Sequence, residues 1–185
     1  MLADTLGLVA ALHAEAPAPD RTEMAGLYDF LVGDWRMQVV TYPAEGGRFE
    51  AAGEIHAGWI LEGRAIQDTW ILPARDRREP GGSPLPVTGT WFGTTLRIYD
   101  TALQAWRIYW INPPTNTFRE QIGRARDAGI VQEGSAGDGA LSRWSFTDIE
   151  PTSFHWSAEL SRDRGETWRL LIDVFARRDG ASVLV

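Results

Sequence analysis

Three charged side chains occupy positions expected to face an apolar interior, and they are the residues best suited to chemistry. Arg64 and Asp68 alternate with apolar residues in one strand-like run, and Glu120 does so in another. An unpaired carboxylate is costly on such a face, so we expect Asp68 and Glu120 to pair with Arg64 or to stay protonated. Two carboxyls with displaced pKa values could transfer protons in a cofactor-free cyclase, isomerase or lyase, with Arg64 holding an oxyanion or carboxylate.

Two other interpretations of these residues stay open. Arg64 and Asp68 could form an internal ion pair that only fixes strand register. A one-residue bulge would reverse the buried face and put Ala65, Gln67 and Thr69 inside instead. Whether the chain is an enzyme therefore depends on which way these strands face.

The histidines are a second, weaker set of candidates. Alternation puts His56 and His155 on the outer face of their strands, and either is an alternative acid, base or haem ligand. Three widely spaced histidines and no cysteine predict no metal site, and we expect no cofactor. The chain also has no lysine, no Gly-x-Ser-x-Gly elbow and no phosphate-binding glycine loop, which disfavours Schiff-base, triad-hydrolase and nucleotide chemistry.

Aromatic residues are the most abundant candidate ligand-binding groups, since the chain has nine tryptophans. Period-two counting puts most of them on inward faces, where they would wall a cavity for a small hydrophobic, aromatic or polyketide-like molecule. The alternative is that they simply fill the interior. The predicted binding residues are Trp59, Trp70, Trp106, Trp110, Trp144, Trp156, Trp168, Phe118 and Asn112, the last orienting a ligand carbonyl at the rim.

The elements that must position these side chains are strands. Period-two runs separated by glycine-rich turns predict strands at 34–42, 48–58, 63–72, 91–99, 105–112, 117–124, 129–134, 140–147, 153–161 and 167–177. Many adjacent strands with short turns indicate an all-β fold, an antiparallel up-and-down β-barrel of about 8–10 strands. The one long loop, residues 73–88, is expected at a rim, where it could act as a lid.

The residues before the first long strand predict short helices. Residues 2–15 indicate one helix, and a capping-box pattern with helical spacing indicates a second that leads into Gly33. We therefore expect a helical segment, residues 1–32, packed on a barrel formed by residues 33–180, in one domain overall.

Four landmarks in order resemble those of the calycins, the superfamily of lipocalins and fatty-acid-binding proteins. They are Phe30-Leu31-Val32-Gly33-Asp34-Trp35, Trp59-Ile60-Leu61-Glu62-Gly63-Arg64, Tyr99-Asp100 followed by Trp106 to Trp110, and Phe175-Ala176-Arg177-Arg178. The pattern looks closest to an uncharacterised bacterial branch of lipocalin-like proteins, a domain of unknown function. The resemblance implies a barrel with a central cavity, floored by Trp35 and sealed by Arg177 or Arg178.

The composition of the chain limits the kinds of partner that it could bind. The 185-residue chain carries a net charge of −7, with its acidic residues scattered, which argues against nucleic acid or an anionic membrane and favours a small molecule. The N-terminus lacks the positive region of a signal peptide, which favours a cytoplasmic protein; Ala14-Glu15-Ala16 keeps a weak cleavage site open. Outward-facing Tyr99, Tyr109 and Ile111 could seed a homodimer.

Overall fold

In a computed structural model, which describes residues 2–24, 26–78 and 90–178, the predicted strand pattern is present. The strands are β1 His13–Ala14, β2 Gly33–Thr41, β3 Phe49–Ile60, β4 Ala65–Leu72, β5 Trp91–Asp100, β6 Ala105–Asn112, β7 Thr117–Arg126, β8 Gly129–Gly137, β9 Ala140–Glu150, β10 Ser153–Ser161 and β11 Arg169–Arg178. Each of the ten predicted strands is found, with ends that differ by three residues or fewer.

The strands close into a barrel in an up-and-down order. Each strand from β2 to β11 pairs antiparallel with its neighbour along the chain, and β11 returns to pair with β2. The two-residue strand β1 adds to the end of β3, where His13 faces Ile60. The prediction of an all-β, antiparallel up-and-down barrel is confirmed, and closure leaves few unpaired strand edges.

The segment before the barrel is less helical than predicted. One α-helix, α1 (Leu2–Leu12), is present, but the second predicted helix is wrong: two short 3₁₀ turns, Thr22–Met24 and Asp29–Leu31, take its place. Gly26 lies between them with φ of +99°, a conformation that interrupts a helix. Met24, Tyr28 and Leu31 are nevertheless buried, as the spacing implied, whereas Leu8 and Val9 of α1 are exposed.

One end of the barrel is sealed by Trp35, which is fully buried. Its indole Nε1 donates a hydrogen bond to the Leu31 carbonyl at 2.8 Å, and the Arg178 guanidinium lies 3.9 Å above its ring. Arg178 also donates to the carbonyls of Val32 and Phe30. Gly33 makes this approach possible, because a Cβ at its φ of +120° would collide with the guanidinium. The predicted seal is confirmed, with Arg178 as the covering residue.

A bulge in β11 alters which side chains point inward. Ala158 faces Ile172 and Glu159 faces Leu170, so Leu171 is the extra residue. Ala176, Val174 and Ile172 therefore point inward in regular alternation. On the N-terminal side of Leu171 the alternation is shifted by one residue. Of the long loop predicted as a lid, residues 79–88 lie outside the described residues.

Candidate functional site

A cavity of about 180 Å³ lies in the half of the barrel opposite the Trp35 seal. Its lining residues come from the later parts of β4, β6, β8 and β10 and from β5 and the first parts of β7, β9 and β11. Its walls are mainly aromatic, with five tryptophans, Trp70, Trp91, Trp110, Trp144 and Trp156. The position agrees with a barrel that is sealed at one end and open to ligand at the other.

The five indoles hold one another in place. Trp156 lies at the centre, with ring centroids 5.2 Å from Trp70, 5.6 Å from Trp144 and 6.4 Å from Trp91. Trp110 packs edge-on against Trp144 at 6.3 Å. These tilted and edge-to-face contacts are the preferred geometries of aromatic pairs, so the wall is rigid and presents both ring faces and ring edges to the cavity.

A buried ion pair forms the inner end of the cavity. Asp68 faces inward from β4, as predicted, but its partner is Arg97 of β5, which also lines the cavity. Both residues are 1% exposed, and Asp68 additionally accepts a hydrogen bond from the Thr95 backbone N–H at 3.2 Å. Burial lowers the pKa of Arg97 to about 10, so the guanidinium is charged at neutral pH and neutralises the carboxylate.

Arg97 is a site residue that sequence reasoning missed. The inward face of β5 carries Gly93, Thr95 and Arg97, and the need of Asp68 for a cation was one signal that could have identified Arg97. Arg64 looked equally suitable as the ion-pair partner of Asp68, because the register of β4 against β5 is set across a long loop and could not be derived from the sequence.

Arg119 lines the mouth of the cavity. The prediction that Glu120 faces inward put Arg119 on the outer surface, but β7 faces the opposite way, with Gln121 and Gly123 buried on the same inner face as Arg119. Its Nη1 donates to the neighbouring Phe118 carbonyl at 2.8 Å, and no carboxylate among the described residues lies within ion-pair distance. The acidic residue that lines the mouth, Glu159, lies 4.0 Å from Arg143, whose guanidinium also pairs with Glu133 at 2.8 Å. Among the described residues, Arg119 is therefore a guanidinium at the mouth with no ion-pair partner.

Two of the three predicted catalytic residues, Glu120 and Arg64, do not face the barrel interior. Glu120 lies on the outer face, half exposed, with Arg107 at 3.5 Å. Arg64 precedes β4 in the turn, so strand alternation does not reach it, and it pairs with Asp20 on the surface at 2.9 Å. The expected cluster of Arg64, Asp68 and Glu120 is thus wrong as a spatial grouping, because Asp68 alone faces the interior.

The predicted ligand-binding residues divide between the cavity and other places. Trp70, Trp110, Trp144 and Trp156 line the cavity, and Trp91, which the sequence reasoning missed, joins them. Trp59 and Trp106 are buried in the core away from the cavity. Asn112 is also buried, but its amide binds the Phe92 N–H, the Thr90 carbonyl and the Thr115 hydroxyl, so it fixes the rim.

Two predicted binding residues lie on the outside. Trp168 precedes the β11 bulge and packs on the outer face, with the Arg143 guanidinium 3.7 Å above its ring. Phe118 is 56% exposed, next to Ile111 on the outer face of β6 and β7. Tyr99, expected to face outward, instead packs inside at 5.7 Å from Trp106.

Both candidate histidines lie on the outer face, as alternation predicted. Nδ1 of His56 lies 2.6 Å from the Asp34 carboxylate, and its Nε2 lies 2.9 Å from Arg75. Nε2 of His155 lies 2.7 Å from the Asp173 carboxylate, and its ring stacks on Phe175. Neither imidazole lines the cavity, so neither could ligate a haem bound inside it.

The described residues also bear on metal sites and membrane spans. Within residues 2–24, 26–78 and 90–178, no group of three or more histidine, aspartate or glutamate side chains is placed to hold a metal ion. In the same ranges, no helix combines the length and apolar character that a membrane span requires.

Comparisons with known proteins agree with the barrel. The S-type phycobiliprotein lyase CPES from Guillardia theta superposes with a TM-score of 0.52 and 13% identity, over 89% of this chain and 99% of its own. Rv2717c from M. tuberculosis superposes with a TM-score of 0.52 and 12% identity, over 88% of this chain and 98% of its own. No protein-family model and no curated protein matches the sequence. The chain has a lipocalin-like barrel fold, and at these identities the likeness extends to the fold alone.

Proposed function

We propose that the protein binds a small aromatic molecule, one or two rings in size and carrying an acidic group, in the tryptophan-walled half of its barrel. The observation that supports this most directly is the cavity itself. Five indoles surround an unfilled space, whereas the opposite half of the barrel is packed with side chains. A rigid apolar wall with few polar groups is typical of small-molecule sites.

The volume of the cavity limits the size of the ligand. An apolar cavity of roughly 150 Å³ takes up benzene, and sites for drug-sized molecules measure roughly 300–1,000 Å³. At about 180 Å³, this cavity encloses one aromatic ring with a substituent. A second ring must extend through the mouth. The polyketide-like ligand considered from the sequence is therefore too large to be enclosed.

The charge at the mouth favours an acid. Arg119 presents a guanidinium that no described carboxylate neutralises, and a planar guanidinium binds carboxylates through two parallel hydrogen bonds. A ring buried among the indoles with its carboxylate at the mouth would satisfy both features. The fold is shared with a phycobiliprotein lyase, but the cavity rather than this likeness supports the proposal.

The proton-transfer alternative has less support. It needs two carboxyls in the interior, but Asp68 is committed to Arg97 and Glu120 lies outside. The haem alternative needs an inward histidine, and both candidates face out. We therefore propose binding without assigning a reaction.

The test is isothermal titration calorimetry with benzoate and benzyl alcohol, two one-ring probes that differ in charge. We expect one-to-one binding of both, with benzoate favoured by at least about tenfold because a charge-assisted hydrogen bond contributes roughly 1.5–3 kcal/mol. Arg119→Gln should abolish this preference. Arg124→Gln, which removes the same charge from the outer face of β7, should preserve it. If neither probe binds with one-to-one stoichiometry, the proposal is wrong.

A further inference from the structure

Two residues that line the cavity carry buried hydrogen-bond donors without partners. Trp70 Nε1 and Arg97 Nε are both buried, and neither has a hydrogen-bond partner among the described residues. Trp70 is 5% exposed and Arg97 is 1% exposed, and both residues line the cavity. Buried N–H groups are rarely left unpaired in folded proteins, so these two call for an explanation.

The rest of the cavity wall does not supply the missing acceptors. The Asp68 carboxylate is occupied by Arg97 Nη1 and the Thr95 backbone N–H. The Ser142 hydroxyl accepts from Gln121 Nε2 at 2.9 Å and donates to the Gly134 carbonyl at 3.3 Å. These polar groups are thus engaged with one another, while the two orphaned N–H groups lie on residues that bound the open space. Gln121 Oε1 is a buried acceptor that also lacks a partner in the described structure, but Gln121 does not line the cavity.

The charge balance at this depth selects the type of acceptor. The Arg97 charge is already neutralised by Asp68, and both side chains are 2% exposed or less. A second carboxylate here would be a buried, uncompensated anion, which is costly. A neutral acceptor oxygen, such as a ketone, ester or amide carbonyl, gives the donors a partner without adding charge.

We propose that the inner end of the cavity is a subsite for a neutral carbonyl oxygen, which accepts a hydrogen bond from Trp70 Nε1 and is assisted by Arg97 Nε. The subsite deepens, and rests on, the proposed binding of a small aromatic molecule. It defines the ligand class as an aryl carbonyl compound whose carbonyl points inward, with any acidic group pointing to the mouth. Trp70 then has two roles, since its ring forms part of the wall and its N–H recognises the ligand.

The test compares acetophenone with isopropenylbenzene, which replaces the carbonyl oxygen by a methylene group of similar shape. Titration calorimetry with the whole chain should show acetophenone favoured by about tenfold, the effect of one buried hydrogen bond. Trp70→Phe removes the N–H and keeps a ring, and should reduce the preference to about twofold. The control is Trp156→Phe, which alters the same wall at a residue with no orphaned buried N–H in the described structure, and should leave the preference at about tenfold.

A second measurement locates the contact. In the proton–nitrogen NMR spectrum, the indole N–H signal of Trp70, assigned by its loss in Trp70→Phe, should move downfield with acetophenone and not with isopropenylbenzene. Equal affinity for the two probes in the unaltered protein would overturn the subsite while leaving the proposed function standing. An equal loss of preference in Trp70→Phe and Trp156→Phe would overturn it too. If neither probe binds, the proposed function fails first, and the subsite with it.

Discussion

The ion pair between Asp68 and Arg97 offers the sharpest test of how the barrel interior is stabilised. Asp68→Leu would leave the Arg97 guanidinium buried without a counter-charge, with its side chain 2% exposed. Removing one member of a buried pair costs about 3–5 kcal/mol, a large share of a typical total stability of about 5–15 kcal/mol. At about 2–4 °C per kcal/mol for a chain of this length, the melting temperature should fall by roughly 6–20 °C.

The double variant Asp68→Leu/Arg97→Met separates the charge from the loss of packing. Replacing both ions by apolar side chains is often neutral or stabilising, so most of the lost stability should return. About 1 kcal/mol should stay lost, because the Thr95 backbone N–H no longer has its carboxylate acceptor. The coupling free energy from the cycle should therefore exceed about 2 kcal/mol.

Urea unfolding followed by tryptophan fluorescence, with calorimetry alongside, measures these changes. The matched control is Asp20→Asn, which removes the carboxylate of the exposed pair with Arg64 and should leave the midpoint nearly unchanged. A loss below about 1 kcal/mol in Asp68→Leu, or a double variant as unstable as the single one, would refute the reasoning.

Three further outcomes follow from the structure. Burial raises the pKa of Glu54, but hydrogen bonds from a neighbouring arginine and histidine outweigh it and hold the pKa at about 2. This contribution to stability is therefore present above about pH 4.5 and lost as the pH falls towards 2, and Glu54→Gln should flatten that part of a stability–pH curve. Gly33→Ala should destabilise the chain by about 1–3 kcal/mol in urea unfolding, through strain at positive φ and loss of the guanidinium seal, whereas Gly58→Ala, with open space around it, should be tolerated. In benzoate titrations, Trp144→Ala should weaken binding and Trp168→Ala should not, because only the first lines the cavity.

The barrel could be predicted from sequence because its signals are local. Period-two runs and glycine turns located ten strands within three residues of their ends, since each signal needs only neighbouring residues. The seal joins residues far apart in the chain, and it was predicted from the resemblance to calycins that Gly33, Trp35 and the terminal arginines carry. The predictions that failed concerned which side chains of a correctly placed strand point into the barrel.

Each facing error has a particular cause. On β7, apolar Phe118 and Ile122 suggested the inner face, but Gly123 is inside, because the Tyr28 hydroxyl occupies the space that a side chain would fill. On β5, Gly93 likewise lies under the Trp110 ring. In the sequence, the glycine within each strand was the available signal for the inner face, because such a glycine often marks a close approach by another group.

The cavity ends where it does because of Arg97. Its guanidinium carbon lies 5.2 Å from the Tyr28 ring centroid and 6.0 Å from that of Phe146, and both rings belong to the packed core of the sealed half. On its other side the same residue lines the open space. Arg97 therefore acts as a floor held by Asp68 below and by two aromatic faces, and a longer ligand cannot extend past it without breaking the buried ion pair. Any gain in affinity from a second ring must come at the mouth, so 2-naphthoate should exceed benzoate only through contacts near Arg119, and Asp68→Leu/Arg97→Met should be the variant that admits longer ligands inward.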